Sequence, residues 1–177
     1  MISNTMQSAL NKQVNAELYS AYLYLSMSAW FQTLNLAGCA NWMRVQAAEE
    51  TVHALKFYDF VNERGGTVEL AAIDGPHTTW ESPLAAFQAV YEHEQKVTGL
   101  INKLVDQALA ESDHAANIFL QWFVTEQVEE EASANDLVRK LELIRGEANG
   151  LFMLDRELAA RMFMVPPGTK FTQATAA

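Results

Sequence analysis

Four long amphipathic stretches each carry polar side chains where helical periodicity requires a buried apolar residue, and this pattern most constrains the fold. The polar positions lie near the middle of each stretch and are Glu17, Glu50 with His53, Glu94, and Gln127 with Glu130. Burying an unpaired carboxylate in an apolar core is strongly unfavourable, and neighbouring carboxylates repel one another. A cation shared by all four stretches would offset both penalties.

Apolar residues recurring every three or four positions predict the first two helices. The first extends from Thr5 to about Thr33, and the second follows Gly38 and extends to about Arg64. The inward face predicted for the first helix is Leu10, Val14, Leu18, Ala21, Leu25 and Ser28. The inward face predicted for the second is Met43, Ala47, Glu50, Ala54, Phe57 and Val61, with His53 one turn beyond Glu50.

A long connection separates the second helix from the third. Gly65 and Gly66 favour a helix C-terminus, and Ser82 followed by Pro83 is typical of a helix N-terminus. A connection of this length suits a crossover that spans a bundle, so we expect the second and third helices to be parallel. A break at residues 111–113 precedes the fourth helix, which extends to about residue 145. The inward face predicted for the fourth helix is Ala116, Leu120, Phe123, Gln127, Glu130, Ala134, Leu137 and Leu141.

A shorter fifth helix is predicted from about Leu151 to Phe163, before Pro166 and Pro167. It carries more apolar surface than a four-helix bundle could cover, including Phe152 and Met153, so we expect an oligomer to bury the excess. The predicted architecture is therefore all-α: a four-helix bundle with a long crossover and a short fifth helix. Residues 1–164 form one domain and residues 165–177 a tail.

Composition excludes several functional classes. The net charge of −10 argues against nucleic acid as a partner, because phosphate binding needs a basic patch. No apolar run approaches the length of a membrane span and no secretory leader is evident, so a cytoplasmic protein with no membrane partner is expected. Cys39 is the single cysteine, which excludes an intrachain disulfide and a zinc site built from several thiolates.

The Glu-x-x-His spacing of Glu50 and His53 indicates that the polar positions of the four stretches bind a metal ion. Helical positions three residues apart share one face, so these two side chains can bind one cation. Carboxylates with a single imidazole favour Fe(II) or Mn(II), and the lack of thiolates disfavours Cu(I). Carboxylates from four helices together with Glu-x-x-His are typical of di-iron and di-manganese bundles.

Several segments resemble the ferritin family, specifically the non-haem bacterial ferritins, from Met1 to about Phe163. These segments are LNKQVNAE at 10–17, EETVHA at 49–54, YEHE at 91–94 and LQWFVTEQ at 120–127, followed by EEE at 129–131 and NGL at 149–151. The resemblance implies an iron-storage protein that oxidises Fe(II) at a di-iron ferroxidase centre, with dioxygen or hydrogen peroxide as oxidant. It also implies a hollow homo-oligomer of 24 chains in which ferric mineral collects.

The resemblance also assigns residues. The first iron would be held by Glu17, Glu50 and His53, and the second by Glu50, Glu94 and Glu130, with Glu50 bridging and Gln127 close by. A third iron site would use Glu49, Glu126 and Glu129, with Glu130 shared. Tyr24 matches a tyrosine beside the centre in the family, and Trp122 is a second candidate electron donor.

Two departures from the bacterioferritins lead us to expect no haem. Thr51 follows the bridging glutamate where bacterioferritins have the haem-ligating methionine, and Gln127 and Glu130 stand where they have a second Glu-x-x-His. His77, His93 and His114 lie on no inward stripe and are expected at the surface.

Alternative functions remain at this point. They are a di-iron peroxidase or oxidase of the rubrerythrin kind, a DNA-protecting mini-ferritin, and a metal-free helical oligomer. A rubrerythrin-like protein would need cysteine pairs that this chain lacks. A mini-ferritin holds its metals between subunits, and a metal-free oligomer leaves the acidic positions unexplained.

Glu131 is expected on a solvated face, because three successive helical residues cannot share one side.

Overall fold

The computed structural model describes residues 1–164, and the elements of this part of the chain are all helical. They are α1 (Asn4–Thr33), α2 (Ala37–Glu63), α3 (Pro83–Ala110), α4 (His114–Ile144) and α5 (Ala148–Leu158). The predicted four-helix bundle with a short fifth helix is confirmed, whereas the predicted tail at 165–177 lies outside the described residues. Within residues 1–164, each helix is either too short or too polar to cross a membrane.

Local sequence explains where the long helices begin and end. The side chains of Ser3, Ser82 and Asp113 each accept a hydrogen bond from the backbone N–H three residues later, at 3.0 to 3.1 Å. Such caps satisfy amide groups that have no partner within the first helical turn. Pro83 opens α3, and Arg145, with φ of 50°, ends α4 in the left-handed conformation.

Contacts at one end of the bundle define how the helices run. The Ile2 N–H donates to the carbonyl of Arg64 at 3.2 Å, and the Arg64 guanidinium binds both carboxylate oxygens of Asp113 at 3.0 Å. The Ser3 hydroxyl donates to Glu111. The start of α1, the ends of α2 and α3 and the start of α4 therefore meet at one end. As the long connection predicted, α2 and α3 are parallel.

The apolar core is divided into two clusters of buried side chains. One cluster contains Tyr24, Met27, Phe31, Met43, Phe87 and Leu137, and the other contains Leu10, Val14, Phe57, Ile101, Leu120 and Phe123. Burying each large side chain contributes about 1.5 to 3 kcal/mol, so the two clusters stabilise the bundle at both ends. The inward polar residues of all four helices lie between the clusters in sequence and form a polar layer.

The predicted inward faces of α2 and α4 are confirmed, but that of α1 was partly wrong. Leu25 is 49% exposed and Leu18 is only partly buried, whereas Glu17 and Tyr24 are fully buried. The true stripe alternates steps of four and three from Leu10 through Glu17 and Tyr24. The error at Leu18 and Leu25 arises because leucines also occupy the neighbouring face of α1.

The fifth helix packs against α2 through a close backbone approach at Gly38. A Cβ atom at this glycine would lie 1.6 Å from the backbone oxygen of Asp155, and the Asp155 carboxylate accepts the N–H of Cys39 at 2.8 Å. Helix α2 begins at Ala37, so Gly38 lies in its first turn rather than in the turn before it. Helix α5 also begins and ends earlier than predicted, which leaves Met162 exposed.

Candidate metal centre

Helices α1 and α2 bring three predicted metal ligands together inside the bundle. Glu17, Glu50 and His53 each offer one ligand atom, and these atoms lie within 4.8 Å of one another. All three residues are buried, with at most 2% of their surface exposed. Across residues 1–164, this is the one group of three or more His, Cys, Asp and Glu ligands that come so close.

Hydrogen bonding leaves ligand atoms of this group available. Glu17 Oε1 accepts a hydrogen bond from Gln13 Nε2 at 2.9 Å, whereas Glu17 Oε2 and His53 Nε2 are buried without a hydrogen-bond partner. Glu50 Oε2 lies 3.3 Å from His53 Nδ1 but makes no proper hydrogen bond. Buried polar atoms are nearly always paired, so three unpaired atoms in one cluster indicate a site for a cation.

The electrostatics of the layer favour protonated carboxyl groups when no cation neutralises them. Burial and the Glu50 carboxylate raise the pKa of Glu17 from 4.5 to about 8. Burial and the Glu130 carboxylate raise the pKa of Glu94 to about 8, and burial, Glu94 and Glu130 raise that of Glu50 well above its ordinary value. A bound divalent cation would reverse this effect, because it stabilises the ionised carboxylates.

Helices α3 and α4 contribute a second polar group, Glu94, Gln127 and Glu130, whose carboxylates accept hydrogen bonds from side chains of this group and of α1 and α2. The Tyr24 hydroxyl donates to Glu94, and Gln127 Nε2 is shared between Glu94 Oε2 at 3.3 Å and Thr98 Oγ1 at 3.2 Å. Glu130 Oε2 instead accepts a hydrogen bond from Gln46 Nε2 at 2.9 Å. Glu94 and Glu130 are buried in the same layer as the α1 and α2 cluster but do not join it.

The three acids predicted for a third site lie at the edge of the layer. Glu49 and Glu126 are half-buried, whereas Glu129 is exposed. Burial raises the pKa of Glu49 to about 7, although the nearby Arg161 guanidinium opposes this increase. Glu49 Oε2 accepts a hydrogen bond from Arg161 Nη2 at 2.6 Å. The close group of ligand atoms formed by Glu17, Glu50 and His53 includes none of these three acids.

Two buried amides that donate hydrogen bonds to the carboxylates, those of Gln13 and Gln46, were not predicted from the sequence. Gln13 precedes its partner Glu17 by four residues, and Gln46 precedes Glu50 by four residues on the same stripe of α2. Both amides are buried. The position of Gln13 one helical turn before Glu17 was a usable signal, because residues four apart share a helix face. Gln46 instead donates to Glu130 of another helix, and no spacing in the sequence indicates that pair.

His93 was wrongly predicted to be a surface residue. It is half-buried, its Nε2 lies 2.7 Å from Ser20 Oγ, and its ring packs against those of Tyr19 and Tyr24. Burial and the nearby Lys96 ammonium lower the pKa of His93 to about 4. His93 therefore lies directly behind the tyrosine that contacts the polar layer.

His77 and His114 are exposed as predicted, but Glu131 is less solvated than predicted. The Glu131 carboxylate is half-buried and accepts a hydrogen bond from Thr98 Oγ1 at 2.5 Å. Thr98 in turn interacts with Gln127. The solvated face of α4 is therefore narrower than the sequence suggested.

Trp122 lies against the other side of the cluster. Its ring meets the His53 ring edge to face at 5.4 Å between centroids, and the Lys56 ammonium lies 4.1 Å from its centroid. Phe123 also packs on His53 at 5.9 Å. These aromatic side chains close the apolar side of the candidate metal centre.

The fold and the polar layer define a class: helical bundle proteins with an internal group of carboxylates and a histidine that can bind metal ions. Comparison with known proteins narrows this class. The ferritin-like domain family matches residues 7–144. The chain belongs to the ferritin family.

Relatives and solved structures agree with this assignment. The chain is 44% identical to the bacterial non-heme ferritin of Bacteroides fragilis strain 638R, over 91% of this chain and all of the relative. It is 41% identical to that of Campylobacter jejuni, over 88% of this chain and 93% of the relative.

An engineered closed form of the Archaeoglobus fulgidus ferritin is 57% identical to the chain, with a TM-score of 0.92, over 93% of this chain and all of the other. The open-pore ferritin of the same archaeon is 56% identical, with a TM-score of 0.91, over 92% of this chain and all of the other. The bundle therefore has the ferritin fold.

Proposed function

We propose that the protein stores iron by oxidising Fe(II) inside each bundle and depositing Fe(III) as mineral within a hollow assembly. The observation that carries the proposal is the buried group of Glu17, Glu50 and His53, with ligand atoms within 4.8 Å of one another. A core does not tolerate such a group without a cation or protons. Family membership makes iron the expected cation.

We assign the first Fe(II) to Glu17, Glu50 and His53, and the second to Glu50, Glu94 and Glu130. Glu50 would bridge the two ions, as the resemblance to the ferritins implies, and both carboxylates of the second group raise its pKa. Gln127, which donates to Glu94, would orient that ligand. Second-sphere hydrogen bonds of this kind fix the direction of a ligating carboxylate.

Iron binding at this centre would displace protons. The pKa values of Glu17 and Glu94 are raised to about 8 by burial and neighbouring carboxylates, so both groups are largely protonated at pH 7 before iron binds. Metal binding requires the ionised form and releases these protons. We therefore expect iron affinity to increase as the pH rises from 6 to 8.

The proposed reaction is a two-electron oxidation. Each of two Fe(II) ions gives one electron to dioxygen, which takes up two protons and leaves as hydrogen peroxide, while two Fe(III) ions form. Hydrogen peroxide, the other candidate oxidant, would accept the same two electrons together with two protons and yield two water molecules. Tyr24, hydrogen-bonded to Glu94, and Trp122, packed on His53, are the candidate donors of further electrons.

A third iron would bind at Glu49, Glu126 and Glu129, with Glu130 shared. These acids are less buried than the central ligands, so an ion there could exchange more easily with the surroundings. Haem is not expected, because Thr51 follows Glu50 and uses its hydroxyl to donate to the carbonyl of Ala47 at 2.8 Å. A threonine hydroxyl cannot replace a thioether as a haem ligand.

Storage also requires a shell, which we propose to be a homo-oligomer of 24 chains. The support is the family together with the exposed apolar surface of α5 and the residues that follow it. Phe152, Met153 and Met162 are 63%, 72% and 75% exposed. An apolar patch of this kind is typical of a protein interface.

Iron loading tests the proposed function. Fe(II) is added anaerobically to metal-free protein in large excess over three ions per chain, air is admitted, and iron that coelutes with the protein on size exclusion is counted. Dozens of ferric ions per chain in a large soluble particle are expected. Two or three ions per chain would contradict storage and favour a di-iron peroxidase of the rubrerythrin kind.

Two variants test the assignment of ligands. Glu50→Ala should slow the initial oxidation of Fe(II) far more than Glu129→Ala, because a bridging ligand contacts both ions. Glu129→Ala should instead change the ratio of iron oxidised to dioxygen consumed, or the rate at which the centre reloads. Equal initial rates in the two variants would contradict the assignment.

A further inference from the structure

The chain that follows α5 folds back onto α2 and is anchored there. Asn41 Nδ2 donates to the backbone carbonyl of Leu158 at 3.2 Å and to that of Arg161 at 2.9 Å. Residues 159–161 therefore lie along the outer side of α2, close to the edge of the polar layer. The Arg161 side chain extends from this segment toward the layer.

The Arg161 guanidinium binds the carboxylate of Glu49, which is one of the ligands proposed for the third iron. Its Nη2 donates to Glu49 Oε2 at 2.6 Å and to Gln46 Oε1. The guanidinium also lies over the Trp42 ring, with 4.6 Å between Cζ and the ring centroid. Ionic hydrogen bonds and stacking of this kind suit the planar guanidinium and hold it in one orientation.

Gln46 connects this arginine to the metal centre. Because the Gln46 carbonyl oxygen accepts from Arg161, its amide nitrogen faces the bundle interior and donates to Glu130 Oε2 at 2.9 Å. Arg161 thus fixes the orientation of an amide that touches a proposed ligand. Its second terminal nitrogen, Nη1, is buried without a hydrogen-bond partner.

We propose that Arg161 is an internal competitor of the third iron. This inference depends on the proposed function, in which Glu49 is a ligand of the third iron. A cation can use Glu49 only after the guanidinium leaves it, so Arg161 keeps the third position weakly occupied. When an iron ion departs, the anchored arginine returns to Glu49.

The test is anaerobic titration calorimetry of Fe(II) into metal-free assembled protein, with wild type compared with Arg161→Gln. The first two ions per chain should bind with little change, and the third about fivefold to tenfold more tightly, which is the effect of losing one partly exposed ion pair strengthened by stacking. Arg156→Gln is the matched control. It removes the same charge from an exposed position of α5 and should change the third affinity less than about twofold.

A double-mutant cycle separates competition from a change in structure. In a Glu49→Gln background, Arg161→Gln should no longer tighten the third ion. Unchanged third-ion affinity in Arg161→Gln, or tightening that persists without the Glu49 carboxylate, would overturn the inference. Absence of the first two ions in wild type would instead contradict the proposed function.

Arg161→Lys is a second test variant, to be used if Arg161→Gln does not assemble. Lysine keeps the charge but lacks the planar fork that reaches both Glu49 and Gln46. The third ion should bind more tightly than in wild type but less tightly than in Arg161→Gln. A purely structural role would lower thermal stability in the variants while leaving the third affinity at the wild-type value, which would overturn the proposal.

Discussion

The buried carboxyl of Glu17 should make the metal-free protein less stable as the pH rises. Its pKa is raised from 4.5 to about 8, because of burial and the nearby Glu50 carboxylate. Between these two pH values the unfolded chain releases this proton while the folded chain retains it. The favourable contribution is complete below pH 4.5 and is lost as the pH rises through 8.

The size of this effect follows from the pKa difference. A shift from 4.5 to about 8, at about 1.4 kcal/mol for each pH unit, corresponds to about 5 kcal/mol of unfolding free energy. For a chain of this length, 1 kcal/mol corresponds to about 2 to 4 °C in Tm, so the effect amounts to about 10 to 20 °C.

Glu17→Gln imitates the protonated acid. The amide oxygen can still accept the hydrogen bond from Gln13, and the side chain cannot ionise. At pH 5 the variant and the wild type should therefore have similar Tm values. At pH 8.5 the metal-free variant should melt about 10 to 20 °C higher than the wild type.

Scanning calorimetry of protein treated with a chelator measures this difference at pH 5, 6.5 and 8.5, with equal protein concentrations because an oligomer is expected. Glu129→Gln is the control, since Glu129 is exposed and its removal should leave the pH dependence unchanged. A Tm difference between Glu17→Gln and wild type that is the same at all three pH values would refute the argument. Mn(II) at pH 8.5 should stabilise wild type more than Glu17→Gln.

Three further predictions concern other parts of the molecule. Gly38→Ala should separate α5 from α2 and destabilise the protein by more than about 3 kcal/mol, because the new Cβ would lie 1.6 Å from a backbone oxygen. Gly99→Ala is the control, because a Cβ there meets open space and should stabilise α3 by up to about 1 kcal/mol. Chemical denaturation measures the unfolding free energy of both variants. Deletion of the residues after Glu147 should leave a bundle that oxidises Fe(II) but retains little of it, and normal retention on size exclusion would exclude a storage role for α5. Tyr24→Phe removes a hydrogen bond to a buried carboxylate, so the second Fe(II) should bind about tenfold more weakly in anaerobic titration while the first is unchanged.

Periodicity in the sequence was sufficient to predict the bundle and the layer of buried acids. The inward faces of α2 and α4 followed from apolar spacing, because long helices with few glycines and prolines leave few alternatives. Glu50 and His53 could be paired from sequence, since residues three apart on a helix share a face. The long connection was also informative, because its length suits a crossover along the bundle.

The sequence could not predict which polar groups would contact one another across helices. Arg161 and Glu49 are far apart in the chain. Arg161 lies in a short segment after α5 and Glu49 lies on the flank of α2, and the periodic apolar pattern predicts the contacts of neither residue. The same holds for His93, whose burial depends on Ser20 and Tyr24 of another helix. Such contacts depend on the rotation and axial shift of each helix.

Sequence alone therefore determined the number and direction of the helices and the identity of the acids in the core, because periodicity and the unfavourable burial of charge are local properties of the chain. Tertiary structure decided that Glu17, Glu50 and His53 converge while Glu94 and Glu130 each find a separate hydrogen-bond donor. It also decided that an arginine beyond α5 reaches Glu49. These outcomes depend on distances between helices, and interhelical distances arise only when the side chains pack.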